Sequence, residues 1–281
     1  MREIPASKIT ETVAKLCRQS NYFLPEDVWR AVEEAYQKEK SETARDILDQ
    51  ILQNARLAGQ KELALCQDTG IADVFIKLGQ QATIGGINLR DAVNKGVADG
   101  YTKGYLRKSI VSEPLENRNN TQDNTPANIY IESAQGDDVE ITVLPKGGGT
   151  ENASALAMLS PSQGWQGVKD FIIDTVKNKG VSACPPLVVG VGIGGSFSTV
   201  ALLAKKALLR PIGESSKDVF YRRKEEELLK EINATGIGPM GMGGASTALG
   251  VNIEYAPCHI ASLPAAVSMQ CHSLRRKTEK I

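Results

Sequence analysis

The side chains best suited to chemistry fall in three short stretches. Cys66-Gln67-Asp68-Thr69-Gly70 sets a thiol, an amide, a carboxylate, a hydroxyl and a flexible glycine in consecutive positions. Far downstream stand Cys184, beside Pro185-Pro186, and Cys271, beside His272. Thiolates are soft ligands for metals and iron–sulfur clusters, and a cluster held by three of them keeps one iron open to substrate. None of these cysteines has the C-x-x-C spacing that makes a metal site readable from spacing alone. Their neighbours are polar or interrupt helices, so none sits in a plain apolar face. Cys258, followed by His259, keeps similar company, and spacing leaves it open as a third ligand. Cys17 differs: it stands on a helical stretch with no polar cluster nearby and reads as a small buried hydrophobe. An odd number of scattered cysteines, without an export signal, argues against a disulfide framework.

Two glycine-rich stretches offer backbone N–H groups. Lys146-Gly147-Gly148-Gly149-Thr150-Glu151-Asn152 reads as a loop entering a helix. Gly190-x-Gly192-x-x-Gly195 follows an apolar run and precedes a helical pattern, as a dinucleotide fingerprint would, and Glu214 lies about twenty residues on. That pattern makes a nicotinamide-dependent oxidoreductase an alternative reading. Against it, the glycines stand far into the chain, and Pro211 spoils Leu208–Gly213 as a second strand. Proximity in sequence to Cys184 gives them another use, bringing N–H groups close to a cluster or an anion. A non-catalytic iron–sulfur carrier is a further alternative.

The elements that must position these residues are mixed. Ile9, Val13 and Leu16 repeat at helical spacing, Pro25 opens a second helix with Val28, Val32 and Ala35 on one face, and Ser41 caps a third that Gly59 stops. After Gly70, Val74, Ile76 and Leu78 alternate as in a strand, and Asn88 caps a helix to about residue 100. Ile129 and Ile131, with Val139, Ile141 and Val143, flank Gly136-Asp137-Asp138 and read as a hairpin. A helix then runs from the Gly147 loop toward Gly164, and another carries Val168, Phe171, Ile172 and Val176. Leu187-Val188-Val189 is a buried strand, the charged run near Tyr221–Ile232 a solvated helix, and Val251–Tyr255 a further strand. The expectation is a mixed α/β (α+β) fold in one domain, residues 1–281: a helical region over 1–60 and a mixed-sheet, cluster-binding region over 61–281.

Lys plus Arg and Asp plus Glu each number 33, so nothing in the charge points to nucleic acid or a membrane surface. Leu274-Arg275-Arg276-Lys277 is one locally basic patch and reads as a solvated tail. The start, Met1-Arg2-Glu3-Ile4-Pro5, has no apolar run of a secretory signal, and no segment approaches the roughly 20 apolar residues of a membrane helix. The chain reads as soluble and cytoplasmic.

Several motifs occur in an informative order. Cys66-Gln67-Asp68-Thr69-Gly70, Leu106-Arg107 with Asn124-Thr125-Pro126-Ala127, Lys146-Gly147-Gly148-Gly149 and Ala183-Cys184-Pro185-Pro186 resemble the N-terminal half of class I fumarases. They equally resemble the α subunits of two-subunit fumarases and of L-tartrate dehydratase, and the resemblance runs from the helical start to Cys271. It implies an oxygen-sensitive [4Fe–4S] cluster held by Cys66, Cys184 and Cys271. In the family a histidine stands twelve positions before the last ligand, which here is His259 and favours Cys271 over Cys258. Gln67, Asp68, Arg107 and Gly148 fall where the family contacts its dicarboxylate substrate, and Asp68 and His259 would move a proton or orient water. Single-chain members add a C-terminal domain with the catalytic threonine and more basic ligands, whereas this chain ends at Ile281. The resemblance therefore implies a separate β subunit, in an α2β2 assembly. The activity it implies is reversible hydration of fumarate to L-malate, with dehydration of L-tartrate to oxaloacetate as the alternative.

Overall fold

The computed structural model describes residues 2–281. In chain order its elements are β1 (Arg2–Pro5), α1 (Ala6–Tyr22), α2 (Glu26–Lys38), α3 (Glu42–Lys61), β2 (Ile71–Gly79), β3 (Ala82–Gly85), α4 (Leu89–Lys103), β4 (Asn128–Ala134) and β5 (Val139–Lys146). These are followed by α5 (Gly148–Asn152), β6 (Ala155–Leu159), α6 (Gly164–Lys179), β7 (Leu187–Gly194), α7 (Phe197–Ala207), α8 (Val219–Ala234), β8 (Ala248–Ala256), β9 (Leu263–Gln270) and β10 (Lys277–Lys280). Helices and both parallel and antiparallel strand pairs make this the expected α+β fold. The chain separates into two compact units. One comprises Met1–Pro25, Ala55–Gly148 and Arg275–Ile281, the other Glu26–Asn54 and Gly149–Leu274.

In the first unit a four-stranded sheet has the order β10-β5-β2-β4, and β1 pairs separately with β3. The periodic Ile9, Val13 and Leu16 of α1 are buried with Val93 and Val97 of α4 and Val74, Ile76, Ile141 and Val143 of the sheet. Asn88 caps α4 by accepting from the Asp91 amide at 3.0 Å. Close approach of α1 to α4 depends on glycine: a Cβ at Gly96 would lie 2.7 Å from the Thr10 carbonyl oxygen. The expected β4–β5 hairpin does not form, because β2 lies between them, parallel to β4 and antiparallel to β5. Gly79, Gln80 and Gln81, at the end of β2, donate to the carbonyls of Asp138, Ala134 and Gly136. The Gly136 segment therefore wraps the end of β2 instead of making a tight turn. The expected basic tail is also structured: β10 pairs antiparallel with β5, and Leu274 and Arg275 are buried.

The second unit holds a sheet of order β6-β9-β7-β8, with β7 parallel to β8 and antiparallel to β9. Alternation along β7 sends Val189, Val191 and Ile193 into a core with Val168, Ile172 and Val176 of α6 and Leu228 and Ile232 of α8. The other face carries Gly190 and Gly192, where a Cβ would lie 2.3 Å from the carbonyl oxygens of Ala204 and Val200. These glycines sit inside the strand and let α7 pack against it, which is the physical reason for the run that looks like a dinucleotide loop. The helix expected to run from the Gly147 loop toward Gly164 is a single short turn, α5, followed by β6. The charged run of α8 is not wholly solvated: Glu225 is 6% exposed, pairs with Arg210, and accepts from the amides of Ser216 at 2.9 Å and Ile253 at 2.8 Å. Helix α3 starts at its Ser41 cap but passes Gly59 and ends at Lys61.

Candidate active site

In the first unit the Cys66–Gly70 turn is tied down residue by residue. The Asp68 amide donates to Cys66 Sγ at 3.4 Å. The Asp68 carboxylate accepts from two amides, Gly70 at 3.0 Å and Gly148 at 2.7 Å. Arg107 Nη1 donates to Gln67 Oε1 at 2.9 Å, and Thr69 Oγ1 donates to the Arg107 carbonyl at 2.7 Å. One hydrogen-bonded network thus joins Gln67, Asp68, Arg107 and Gly148 beside Cys66. Gly70 adopts φ +73, and a Cβ there would lie 2.6 Å from the Lys146 backbone, so only glycine fits where the turn meets the end of β5.

Three residues to which the sequence assigns no role at the site hold this turn. Tyr101, fully buried on α4, donates to the carbonyls of Thr69 at 2.8 Å and Gly70 at 3.1 Å, and burial raises its phenol above the ordinary range. Asn124, also fully buried, accepts from the Ser109 amide at 2.7 Å and donates to Gly70 O at 3.1 Å. Arg275 reaches the Asp68 carbonyl at 2.9 Å. Asn124 stands in the Asn124-Thr125-Pro126-Ala127 motif, which is the one signal that marks it. Tyr101 and Arg275 carry none, since the turn carbonyls they hold are distant in sequence.

In the second unit Cys184 ends a 3₁₀ turn, Gly180–Ala183, in the left-handed conformation, φ 55, ψ 69, which a residue with a Cβ rarely adopts. Its amide donates to Val181 O at 3.2 Å. His272 Nδ1 lies 3.1 Å from the Cys184 carbonyl oxygen and donates to it as the Nδ1–H tautomer, so the segment of Cys271 abuts that of Cys184. Gly149 is part of the same neighbourhood: a Cβ there would lie 2.8 Å from the Ser182 carbonyl oxygen. His259 sits on the exposed connection between β8 and β9, where its Nδ1 accepts from the Ala261 amide at 3.1 Å. All its hydrogen bonds lie within that turn.

The donor set suits an iron–sulfur cluster. None of the five cysteines is in a disulfide, and Cys66, Cys184 and Cys271 all retain some solvent exposure. Cys17 is excluded by burial, which pushes its thiol up to about 12 and keeps it protonated. Cys258 Sγ lies 3.3 Å from the Ser262 carbonyl oxygen, in the same turn as His259. Among the described residues no three His, Cys, Asp or Glu side chains gather around a single metal ion. A cubane binds each cysteine through a different iron, so its ligands need not meet at one point.

The sequence model of the fumarate hydratase (Fumerase) family matches residues 10–280. The chain belongs to that family. It is similar to the putative L(+)-tartrate dehydratase subunit alpha of Methanocaldococcus jannaschii, 44% identical over 279 residues, 98% of each chain. It also resembles the L(+)-tartrate dehydratase subunit alpha of Escherichia coli strain UTI89, 33% identical over 277 residues, covering 98% of this chain and 91% of that protein. The same-named protein of strain K12 is 33% identical over 274 residues, covering 97% of this chain and 90% of its own. As a member of the fumarate hydratase family the chain is a hydro-lyase. No helix among the described residues is long and apolar enough to cross a membrane.

Proposed function

We propose that this chain is the α subunit of a [4Fe–4S] hydro-lyase that interconverts fumarate and L-malate, with a separate β subunit completing the active site in an α2β2 assembly. The observation that supports this most is the network joining Gln67, Asp68, Arg107 and Gly148 beside Cys66. Cys66, Cys184 and Cys271 would hold the cluster, which when bound supplies a Lewis acid for a poor leaving group, hydroxide.

The other half of the reaction is moving a proton to or from carbon next to a carboxylate, and the side chains answer that need. Arg107, exposed and directed by Gln67, binds one substrate carboxylate. The carbanion-like charge that develops as the C–H bond breaks spreads into that carboxylate, where a cation and N–H donors hold it. Asp68, its carboxylate fixed by two amides, holds or passes the proton, and His259 is the second candidate for proton transfer. A dicarboxylate needs more positive charge than Arg107 offers, and the β subunit is the source of the remainder.

A second reading, dehydration of L-tartrate to oxaloacetate, is favoured by the names of the relatives. Anaerobic reconstitution with iron, sulfide and the β subunit, assayed on fumarate, L-malate and L-tartrate, decides between them. Turnover of fumarate and malate that air abolishes is the expected result. Turnover of tartrate alone selects the second reading, and activity that survives removal of iron overturns both.

A further inference from the structure

Arg275, in the stretch that reads as a solvated tail, is 2% exposed and among the largest fully buried side chains. Its Nη1 donates to Asn21 Oδ1 and its Nη2 to the Asp68 carbonyl, each at 2.9 Å, and its Nε has no partner. Both acceptors are neutral oxygens. A buried guanidinium without a carboxylate partner is costly, and packing alone does not call for it.

What the arrangement achieves is orientation. Asn21, fully buried near the end of α1, is itself fixed by donating from Nδ2 to Cys17 O at 2.9 Å, and its carbonyl accepts from the Leu65 amide at 2.9 Å. The end of α1 thus grips the Cys66 turn directly at Leu65, and through Arg275 at Asp68. Holding the Asp68 carbonyl fixes the Asp68–Thr69 peptide, and with it where the Asp68 carboxylate lies between the Gly70 and Gly148 amides. We infer that Arg275 is a positioning residue for the hydro-lyase reaction, acting through the main chain of Asp68. The inference rests on the role proposed above for Asp68.

Arg275→Lys keeps the charge and volume but cannot reach both acceptors at once with a planar fork. In the full chain without cluster, amide hydrogen exchange of the peptide spanning 65–70 should rise about tenfold while the remainder of the first unit is unchanged, because only the local clamp is lost. In the enzyme reconstituted with the β subunit, kcat should fall about 100-fold, as for a small misplacement of a reacting group, with KM little changed and iron content normal. Unchanged exchange at 65–70, or kcat and KM shifting together, overturns the inference. If Arg275→Lys does not fold, Asn21→Ser, which loses the Nη1 acceptor and the Asn21–Cys17 bond but leaves the Nη2 bond to the Asp68 carbonyl, must give the same pattern at smaller size or the inference fails. If the wild-type holoenzyme turns over no dicarboxylate, the functional reading fails by itself, and the exchange measurement still decides whether Arg275 clamps the turn.

Discussion

Replacing Asp68 by asparagine separates a catalytic carboxylate from a turn-forming one. The carboxylate accepts from Gly70 at 3.0 Å and from Gly148 at 2.7 Å. Asparagine offers one acceptor oxygen and turns an NH2 toward the other amide, so one charge-assisted bond is lost, worth about 1.5–3 kcal/mol of stability. Because Asp68 is only half-buried, water can meet part of that demand, and the lower end of the range is the better expectation. If Asp68 only shapes the turn, the effect ends there. If it moves the proton, kcat falls by a further factor of about 10²–10⁴, or roughly 2.7–5.4 kcal/mol of barrier. The assay pairs steady-state hydration kinetics of the reconstituted enzyme with urea unfolding of the chain and iron analysis. Retained iron, a stability loss near 2 kcal/mol and a kcat drop of about 100-fold or more are expected. A kcat within a few-fold of wild type, with the same stability loss, refutes proton transfer by Asp68.

Three other perturbations test neighbouring parts of the structure. Arg107→Ala should raise KM for the dicarboxylate by about 10–100-fold, the equivalent of one hydrogen bond to a charged group, with normal iron content; titration by initial rates reads it. Gly192→Ala places a Cβ 2.3 Å from the Val200 carbonyl oxygen, so denaturant unfolding should show a loss of about 1–3 kcal/mol as α7 is pushed from β7. Burial holds the Cys17 thiol at about 12 against an ordinary value of 9.0, so above pH 9 the unfolded chain releases a proton that the folded chain keeps. Stability from this group is therefore full below pH 9 and is lost as pH rises toward 12, by on the order of 4 kcal/mol in total. Cys17→Ala should flatten that slope in a series of unfolding curves.

What was legible in the sequence is whatever depends on local periodicity and capping. The first two helices, the Ser41 and Asn88 caps, the strand after Gly70 and the apolar face of α6 all follow from spacing and from residues close in the chain. What was not legible is long-range. That β2 would part β4 from β5 depends on pairing between residues more than fifty apart in sequence, and no local pattern encodes it. Strand β9 contains Pro264 and two alanines, poor strand formers that succeed because neighbours on both sides cover them. At the candidate site the side chains with recognisable chemistry stood out, Cys66, Asp68 and Arg107 among them. Their supports did not: Arg275 and Tyr101 act on carbonyls contributed by residues far away in sequence. A charged residue such as Glu225 was misread for the same reason, since its buried partners Ser216 and Ile253 are main-chain amides.

The most direct test is the iron and acid-labile sulfide content of five single variants, Cys17→Ala, Cys66→Ser, Cys184→Ser, Cys258→Ser and Cys271→Ser, each reconstituted anaerobically. Full cluster content is expected for Cys17→Ala and Cys258→Ser, and loss of it for Cys66→Ser, Cys184→Ser and Cys271→Ser in chains that remain folded. A normal cluster in any of those last three, or its loss from Cys258→Ser, contradicts the account.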